Sequence, residues 1–271
     1  MGGKNMLIIY IILGIIQGFT EPIPVSSSGH LVIFKNLFQL DELNDLNFEI
    51  FTNFGSFLAI AFIFRKDLAK LIKGFFGYIK TKNKEYKEDF KYCLLVIVGS
   101  IPAGIIGLLT KDLIEKYLGN VKYVGLALLI TALFLFIIRK MKGKKEANDM
   151  TYMDALKIGL FQVVALFPGI SRSGATLVGG MFSGLKRETA FKFSFMLYMP
   201  ISLATLALGV KDTVETGIDS TMLFYYILGS LAAMIVTFFS TKWFKDIMMK
   251  GKLIYFVYYC LVVGTLVLLF L

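Results

Sequence analysis

The sequence predicts an all-α polytopic membrane protein with six transmembrane helices and two re-entrant helix–loop–helix hairpins, arranged as an inverted-topology repeat. Three observations support this prediction. The chain is 56% hydrophobic, with a mean hydropathy of +0.71. A long motif occurs twice. Most lysines and arginines fall in segments that would share one side of a membrane.

Six apolar runs each reach or approach the roughly 17–25 residues that a helix needs to cross a bilayer. They lie near 48–64, 91–109, 121–138, 190–209, 222–241 and 253–271. A helix satisfies its own backbone hydrogen bonds, which irregular chain in lipid cannot do. Cys93 and Cys260 fall inside these runs, and we interpret them as small buried hydrophobic residues.

Two further apolar segments, at about 5–38 and about 154–184, are interrupted by polar residues. The first could pass for a signal-peptide core, but it lacks a small-residue cleavage site and continues into Glu21, Pro22 and Pro24. A short apolar run followed by polar residues is typical of one arm of a re-entrant hairpin. We therefore predict that both segments enter the membrane and return to the same side.

The repeated motif reads GIIQGFTEPIPVSSSGH from Gly14 and GLFQVVALFPGISRSGA from Gly159. Without a gap, the copies share the pairs Gly14/Gly159, Gln17/Gln162, Ser26/Ser171, Ser28/Ser173 and Gly29/Gly174. They differ at polar positions, where Glu21 faces Leu166, Ser27 faces Arg172 and His30 faces Ala175. We expect a first repeat over 1–146 and a second, inverted repeat over 147–271, which together form one membrane domain with one composite site.

The basic residues orient this arrangement. If residues 39–47 are outside, the predicted loops at 65–91, 139–157, 185–192 and 242–252 are inside. These hold 9, 6, 3 and 4 basic residues, which is 22 of the 29 in the chain. This excess follows the positive-inside rule. The net charge of +10 is then mainly a property of the cytoplasmic surface, and it requires no nucleic-acid partner.

Glu21, His30 and Arg172 are the ionisable residues that this arrangement places at the hairpin tips. An intramembrane charge costs on the order of 3 kcal/mol even on insertion scales, which favours a functional role. The alternative is that Glu21 and Arg172 form a structural pair. The serines beside them are typical of a loop entering a helix N-terminus, where free N–H groups bind an anion.

The residue types at the tips suit phosphate chemistry. Arg172 offers a planar fork of donors for phosphate oxygens. Glu21 is a candidate general base, or a ligand for a divalent cation bound together with the substrate. Gln17 lies one helical turn before Glu21, on the same face of the helix. His30, the single histidine, is a candidate acid or base. One histidine and one central carboxylate fall short of a self-sufficient metal site.

The stretch QGFTEPIPVSSSGH, together with PGISRSGAT, resembles the undecaprenyl-diphosphate phosphatases, the bacitracin-resistance membrane proteins of bacteria. FEIFTNFGS and FSFMLYMP extend the resemblance along the chain. It implies six spans plus two opposed hairpins, and removal of the terminal phosphate from the membrane lipid undecaprenyl diphosphate for cell-wall synthesis. It also implies location in the bacterial plasma (inner) membrane, with an active site that opens to the outer face.

The motif positions that match the family supply the site residues. The expected catalytic residues are Glu21, Ser27, His30 and Arg172. The expected substrate-binding residues are Gln17, Ser26, Ser28, Ser171, Ser173 and Thr176. Many family members carry glutamate at the position of Gln17, so one proposed metal-binding carboxylate is replaced by an amide. We retain Mg²⁺ or Ca²⁺ as an expected cofactor, with Glu21 as its ligand, and a homodimer as one possible assembly.

Several alternatives stay open at this point. Ser27 is the first choice as nucleophile, while attack by His30, or by water assisted by Glu21, would also fit. Inverted repeats with broken helices are also typical of a transporter or a flippase for a polyprenyl phosphate or another anion. The membrane acid phosphatases use similar SGH and SR fragments, but they require a second histidine that this chain does not have.

The orientation is testable by cysteine labelling. We expect a cysteine at Lys82 to be protected from an impermeant maleimide in intact cells, and a cysteine at Glu215 to be labelled. Nine basic residues mark the first segment as cytoplasmic, whereas three acids and one lysine mark 210–221 as external. Cys93 and Cys260 are first replaced by alanine, and permeabilised cells supply the control. The reverse labelling pattern would overturn the orientation.

Overall fold

The computed structural model describes residues 3–38, 46–118, 120–216 and 219–271, which form eleven α-helices. Along the chain these are α1 (Gly3–Thr20), α2 (Ser27–Leu37), α3 (Leu46–Ile63), α4 (Arg65–Thr81), α5 (Lys87–Leu118), α6 (Val121–Ile138), α7 (Tyr152–Val164), α8 (Arg172–Phe182), α9 (Arg187–Thr216), α10 (Ser220–Met249) and α11 (Ile254–Phe270). Within these ranges no β-strand forms, and one isolated bridge joins Lys145 to Leu185. The predicted all-α class is confirmed.

Four helical stretches are long and apolar enough to cross a membrane: Lys84–Thr110, Val121–Ile138, Arg187–Val210 and Ser220–Met249. A fifth crossing results if α3 and α4, which meet at a 78° bend, count as one broken span. The run predicted at 253–271 forms the 17-residue helix α11, at the lower limit of spanning length. The chain is therefore a multi-pass membrane protein, and its described residues contain four, or up to five, spans by length and hydropathy.

Residues 65–91, predicted as a cytoplasmic loop, are largely helical. Helix α4 occupies Arg65–Thr81, a 3₁₀ turn follows at Lys84–Tyr86, and α5 begins at Lys87. The apolar residues of α4 recur every three to four positions among its lysines, as in an amphipathic helix. Counting the basic residues of this segment does not reveal that period. Residues 39–45 and 217–218 lie outside the described residues, so the predicted external segments at 39–47 and 210–221 are covered only in part.

The helices of the two repeated motifs pack against the long helices through glycine. A Cβ atom on Gly14 of α1 would lie 2.2 Å from the carbonyl oxygen of Gly229 on α10. A Cβ on Gly159 of α7 would lie 2.4 Å from the carbonyl oxygen of Gly99 on α5. Such backbone approach is a common way for membrane helices to associate, because it maximises contact without side-chain ordering. Each motif helix is thereby fixed to a helix from the other half of the chain.

The glycine contacts predict that replacing glycine by alanine changes thermal stability differently at packed and at open positions. Gly14→Ala and Gly159→Ala should each lower the midpoint of thermal unfolding in detergent, because overpacking of this kind costs about 1–3 kcal/mol. Gly104→Ala is the matched control, since a Cβ there meets nothing within 4 Å. It should be neutral or stabilise by up to about 1 kcal/mol through helix propensity. Equal effects at all three positions would contradict the close packing.

Candidate active site

Each repeated motif ends in a capped helix N-terminus. At α2 the Ser26 hydroxyl accepts a hydrogen bond from the Gly29 N–H at 3.3 Å. At α8 the Ser171 hydroxyl accepts from the Gly174 N–H at 3.1 Å. The two caps satisfy one N–H group each, and the remaining N–H groups of the first turn stay available to an anion.

Glu21 is the centre of the polar cluster. Its carboxylate accepts hydrogen bonds from the Gln17 amide at 3.0 Å, from the Ser27 hydroxyl and from the Arg172 guanidinium. Its side chain is only 5% exposed. A buried carboxylate is stable only where charge and hydrogen bonds compensate its lost hydration, and these three donors supply that compensation. The structure thus brings the tips of α1, α2 and α8 to one carboxylate.

Arg172 lies between Glu21 and an aromatic ring. Its guanidinium carbon lies 4.1 Å from the ring centroid of Tyr198 on α9. An aromatic face attracts a cation electrostatically, and more strongly where water is excluded. The arginine side chain is 28% exposed, so part of its donor fork remains open. Arg172 can therefore bind an anion without leaving Glu21 or Tyr198.

His30 is held from two sides, and neither partner is a serine side chain. Its Nδ1 lies 2.7 Å from the Ser26 carbonyl oxygen, and its Nε2 lies 2.7 Å from the Tyr259 hydroxyl. Because a carbonyl can only accept, Nδ1 carries the proton. In the neutral ring, Nε2 then accepts from Tyr259. Ser27, three residues before His30 on α2, donates instead to Glu21, so the base in contact with this serine is the carboxylate.

The remaining expected residues support the two tips. The Ser26 and Ser28 hydroxyls lie 3.5 Å apart, and their counterparts Ser171 and Ser173 lie 3.1 Å apart. Ser173 also donates to the Ile23 carbonyl oxygen at 3.1 Å, which links the second tip to the first.

Thr176 is turned away from the tips. Its hydroxyl donates to the Arg172 carbonyl oxygen at 2.9 Å and lies 2.6 Å from the Ser194 hydroxyl. Its contacts therefore orient α8 against α9.

A small cavity opens beside the ion pair. Its lining is Glu21, Ile60, Arg172, Ser173, Ser194, Phe195 and Tyr198. The Tyr198 hydroxyl is buried and makes no hydrogen bond of normal geometry, although the side chains of Ser202 and Arg172 lie near it. A cavity with a cation, two serine hydroxyls and an unpaired phenol is suited to a phosphate group, whose oxygens accept several hydrogen bonds.

Sequence reasoning missed three residues of this neighbourhood. Ser194 and Tyr198 lie on α9, within the FSFMLYMP stretch, and Tyr259 lies on α11, so all three are outside both copies of the repeated motif. Asn53 of α3, one helical turn after Glu49, also belongs to the neighbourhood, since its side-chain oxygen accepts from Gln17 at 2.7 Å. Glu49 itself pairs with Lys35 at 2.9 Å and does not join the cluster. A tyrosine in an apolar helix carries no signal of its own, so only the packing identifies these residues.

The donors available for a metal ion are few. Among the described residues, no group of three or more histidine, cysteine, aspartate or glutamate side chains could hold a metal. The side-chain oxygen of Gln17 is buried without a hydrogen-bond donor, whereas the amide nitrogen of the same side chain faces Glu21. Rotation of this amide would present the oxygen to a cation shared with Glu21. Carboxylate and amide oxygens are suitable ligands for Mg²⁺ or Ca²⁺, with substrate oxygens completing the shell.

The chain matches known proteins along nearly its whole length. Residues 10–266 match the family model of the bacitracin resistance protein BacA. The chain is 48% identical over 262 residues to undecaprenyl-diphosphatase 2 of Bacillus thuringiensis (strain Al Hakam), with 97% of both chains covered. It is 44% identical over 264 residues to the undecaprenyl-diphosphatase of Oceanobacillus iheyensis, with 97% of this chain and 96% of the relative covered. These matches span nearly the whole sequence, and the chain belongs to the bacitracin resistance protein BacA family.

Proposed function

We propose that this protein hydrolyses undecaprenyl diphosphate to undecaprenyl phosphate and inorganic phosphate at the Glu21–Arg172 cluster. The observation that carries the proposal is a serine hydroxyl bonded to a buried carboxylate, beside an arginine and a small cavity that opens at the ion pair. The similar proteins of Bacillus and Oceanobacillus are named undecaprenyl-diphosphatases. The transporter or flippase alternative has no comparable support from these relatives.

The substrate would bind with its diphosphate in the cavity and its prenyl chain along the apolar helices. Arg172 binds the terminal phosphate through the part of its fork that Glu21 leaves free. The first-turn N–H groups of α2 and α8 add partial positive charge from two directions. Together these groups stabilise the charge that spreads over the transferring phosphoryl oxygens.

Ser27 is the proposed nucleophile, with Glu21 as its base. The Ser27 oxygen attacks the terminal phosphorus and its proton moves to Glu21, while the bond to the bridging oxygen breaks and undecaprenyl phosphate leaves. Water then attacks the phosphoserine and the bond between phosphorus and the serine oxygen breaks. Both protons of the water remain on the released phosphate, which leaves as H₂PO₄⁻, and Glu21 returns the first proton to the serine oxygen. Because Ser27 is bonded to Glu21, we assign His30 to proton exchange with the leaving lipid phosphate, once Tyr259 releases Nε2.

A divalent cation would fit beside this cluster. Glu21 and the side-chain oxygen of Gln17 would hold Mg²⁺ or Ca²⁺ together with diphosphate oxygens. When bound, the cation would neutralise negative charge on the substrate. The site residues named above all come from one chain, and a homodimer stays a prediction.

We also propose the finer architecture that the sequence predicts, with two re-entrant hairpins and six crossings in an inverted repeat over 1–146 and 147–271. The paired contacts of Gly14 with Gly229 and of Gly159 with Gly99 support it, since each motif helix packs on the other half at the same motif position. The basic residues favour an orientation in which hairpin α1–α2 enters from outside. The resemblance to the family favours a plasma (inner) membrane protein whose site opens to the outer face.

The nucleophile can be identified by trapping. Purified protein mixed with substrate labelled in its terminal phosphate, then quenched in acid, should show a label bound to the wild-type chain and none on Ser27→Ala. Ser27→Ala should release phosphate at least about 100-fold more slowly than wild type, since it removes the covalent route. The assay is run with Mg²⁺, with Ca²⁺ and with a chelator. Rapid phosphate release by Ser27→Ala would instead indicate attack by water or by His30.

The hydrogen-bonding fork of Arg172 can be tested separately from its positive charge. Arg172→Lys keeps the cation but loses the planar fork, so activity should fall at least about tenfold, equivalent to roughly 1.4 kcal/mol of transition-state stabilisation. The unfolding midpoint should change little, because lysine can still pair with Glu21. Full activity would exclude the phosphate-binding fork, and a large loss of stability would indicate an architectural role.

Tyr198 supplies the third test. Its unpaired hydroxyl should donate to the bound phosphate, so Tyr198→Phe should reduce kcat/KM about 3- to 30-fold, as the loss of a hydrogen bond to a charged group does. Stability should be unchanged or slightly higher, because no bond is lost in the free protein. Tyr92→Phe is the control, since Tyr92 is buried against Phe193 and does not line the cavity. Equal kinetics for wild type and Tyr198→Phe would exclude this contact.

A further inference from the structure

Helix α4 exposes an apolar stripe that none of the described helices covers. Successive residues of a helix are 100° apart, so Ile72, Phe76 and Ile79 fall within one narrow arc. They are 59%, 61% and 47% exposed, respectively. Such large apolar side chains, adjacent along one arc, would be costly in water.

A row of lysines borders this stripe. Lys66, Lys73 and Lys80 are spaced seven residues apart, so they share one arc, which lies directly beside the apolar one. All three are exposed, and in the described part of the chain they have no ion-pair partner. Lys70, one step further round, is mostly exposed and lies 3.4 Å from Asp89. The row therefore presents three uncompensated positive charges.

The third face of α4 is already occupied by the protein. A Cβ on Gly74 would lie 2.4 Å from the Cβ of Asp89, and Phe75 stacks on Phe90 with ring centroids 5.3 Å apart. Asp67, near the start of the helix, pairs with Lys192 of α9 at 2.5 Å. These contacts fix the rotation of α4, so the stripe and the lysine row both stay turned outward.

Helix α4 runs at a steep angle to α3. It leaves α3 at a 78° bend, so if α3 crosses the membrane, α4 runs along its surface. The positive-inside rule places this surface in the cytoplasmic leaflet.

We propose that α4 is an interfacial helix that binds anionic phospholipid of that leaflet. The apolar stripe lies at the acyl–headgroup boundary, and the lysine row lies on the headgroup phosphates. The positive row selects anionic over zwitterionic lipid, with each lysine contributing on the order of a tenfold change in binding.

The depth of the stripe is measurable by fluorescence. The chain has one tryptophan, so Phe76→Trp in a Trp243→Phe background gives a single probe on α4. In lipid nanodiscs its emission should be quenched by lipids brominated near the headgroup, and poorly quenched by aqueous iodide. Strong iodide quenching with no effect of brominated lipid would overturn the proposal.

The headgroup preference is tested with matched charge variants. The triple variant Lys66→Gln/Lys73→Gln/Lys80→Gln is compared with the control Lys242→Gln/Lys245→Gln/Lys250→Gln, which removes equal charge from the predicted same side but leaves α4 unchanged. Phosphatidylglycerol bound to the purified proteins is counted by native mass spectrometry. Wild type and control should retain it, and the α4 variant should lose most of it. Equal retention by both variants, or no retention by wild type, would contradict the proposal.

Discussion

The ion pair between Glu21 and Arg172 is the interaction on which the rest of the site depends. It joins two tips that are 151 residues apart in sequence. Two charges removed from water are costly, and their attraction compensates only where further hydrogen bonds satisfy both partners. Gln17 and Ser27 provide such bonds to the carboxylate, and the Tyr198 ring covers the guanidinium. The groups that stabilise the pair are thus the groups that the proposed reaction uses.

The two copies of the motif share the residues that fix the structure and differ at the residues proposed for the chemistry. Caps and glycine contacts occur in both copies, and they fix the position of both tips. The two copies differ in their reactive side chains and in the backbone conformation of the capping serine. Ser26 has φ +69°, whereas its counterpart Ser171 has φ −70°. Backbone strain of this kind concentrates at functional sites. Only the copy that carries the proposed nucleophile holds its cap in the strained conformation.

Gln162 shows what the second copy has lost. Its counterpart Gln17 donates to Glu21 and Asn53. Leu166 occupies the place of Glu21, and the buried amide of Gln162 has no hydrogen-bond partner. An unpaired buried amide costs about 1–3 kcal/mol. The glutamine is thus retained in the second copy without the bonds that stabilise it in the first.

The sequence predicted the helical class, the repeat and the central residues because each leaves a local signal. Hydropathy marked the apolar helices, and the ungapped alignment marked both tips. An arginine and a glutamate within apolar surroundings required partners, so Glu21 with Arg172 could be inferred before any geometry was known. Tyr198 and Tyr259 could not be inferred, because their roles arise from long-range packing. Helix α4 was interpreted as a loop, since its lysine content hid an amphipathic period.

A double-mutant cycle between Glu21→Gln and Arg172→Gln tests the central claim most directly. Thermal or denaturant unfolding of the wild type, both single variants and the double variant gives the coupling free energy of the pair. Each single variant leaves one buried charge unpaired and should be strongly destabilised, by about 3–5 kcal/mol. The double variant should be clearly more stable than the sum of the two single losses implies. Additive losses would show that the two side chains act independently, and that the halves are held together elsewhere.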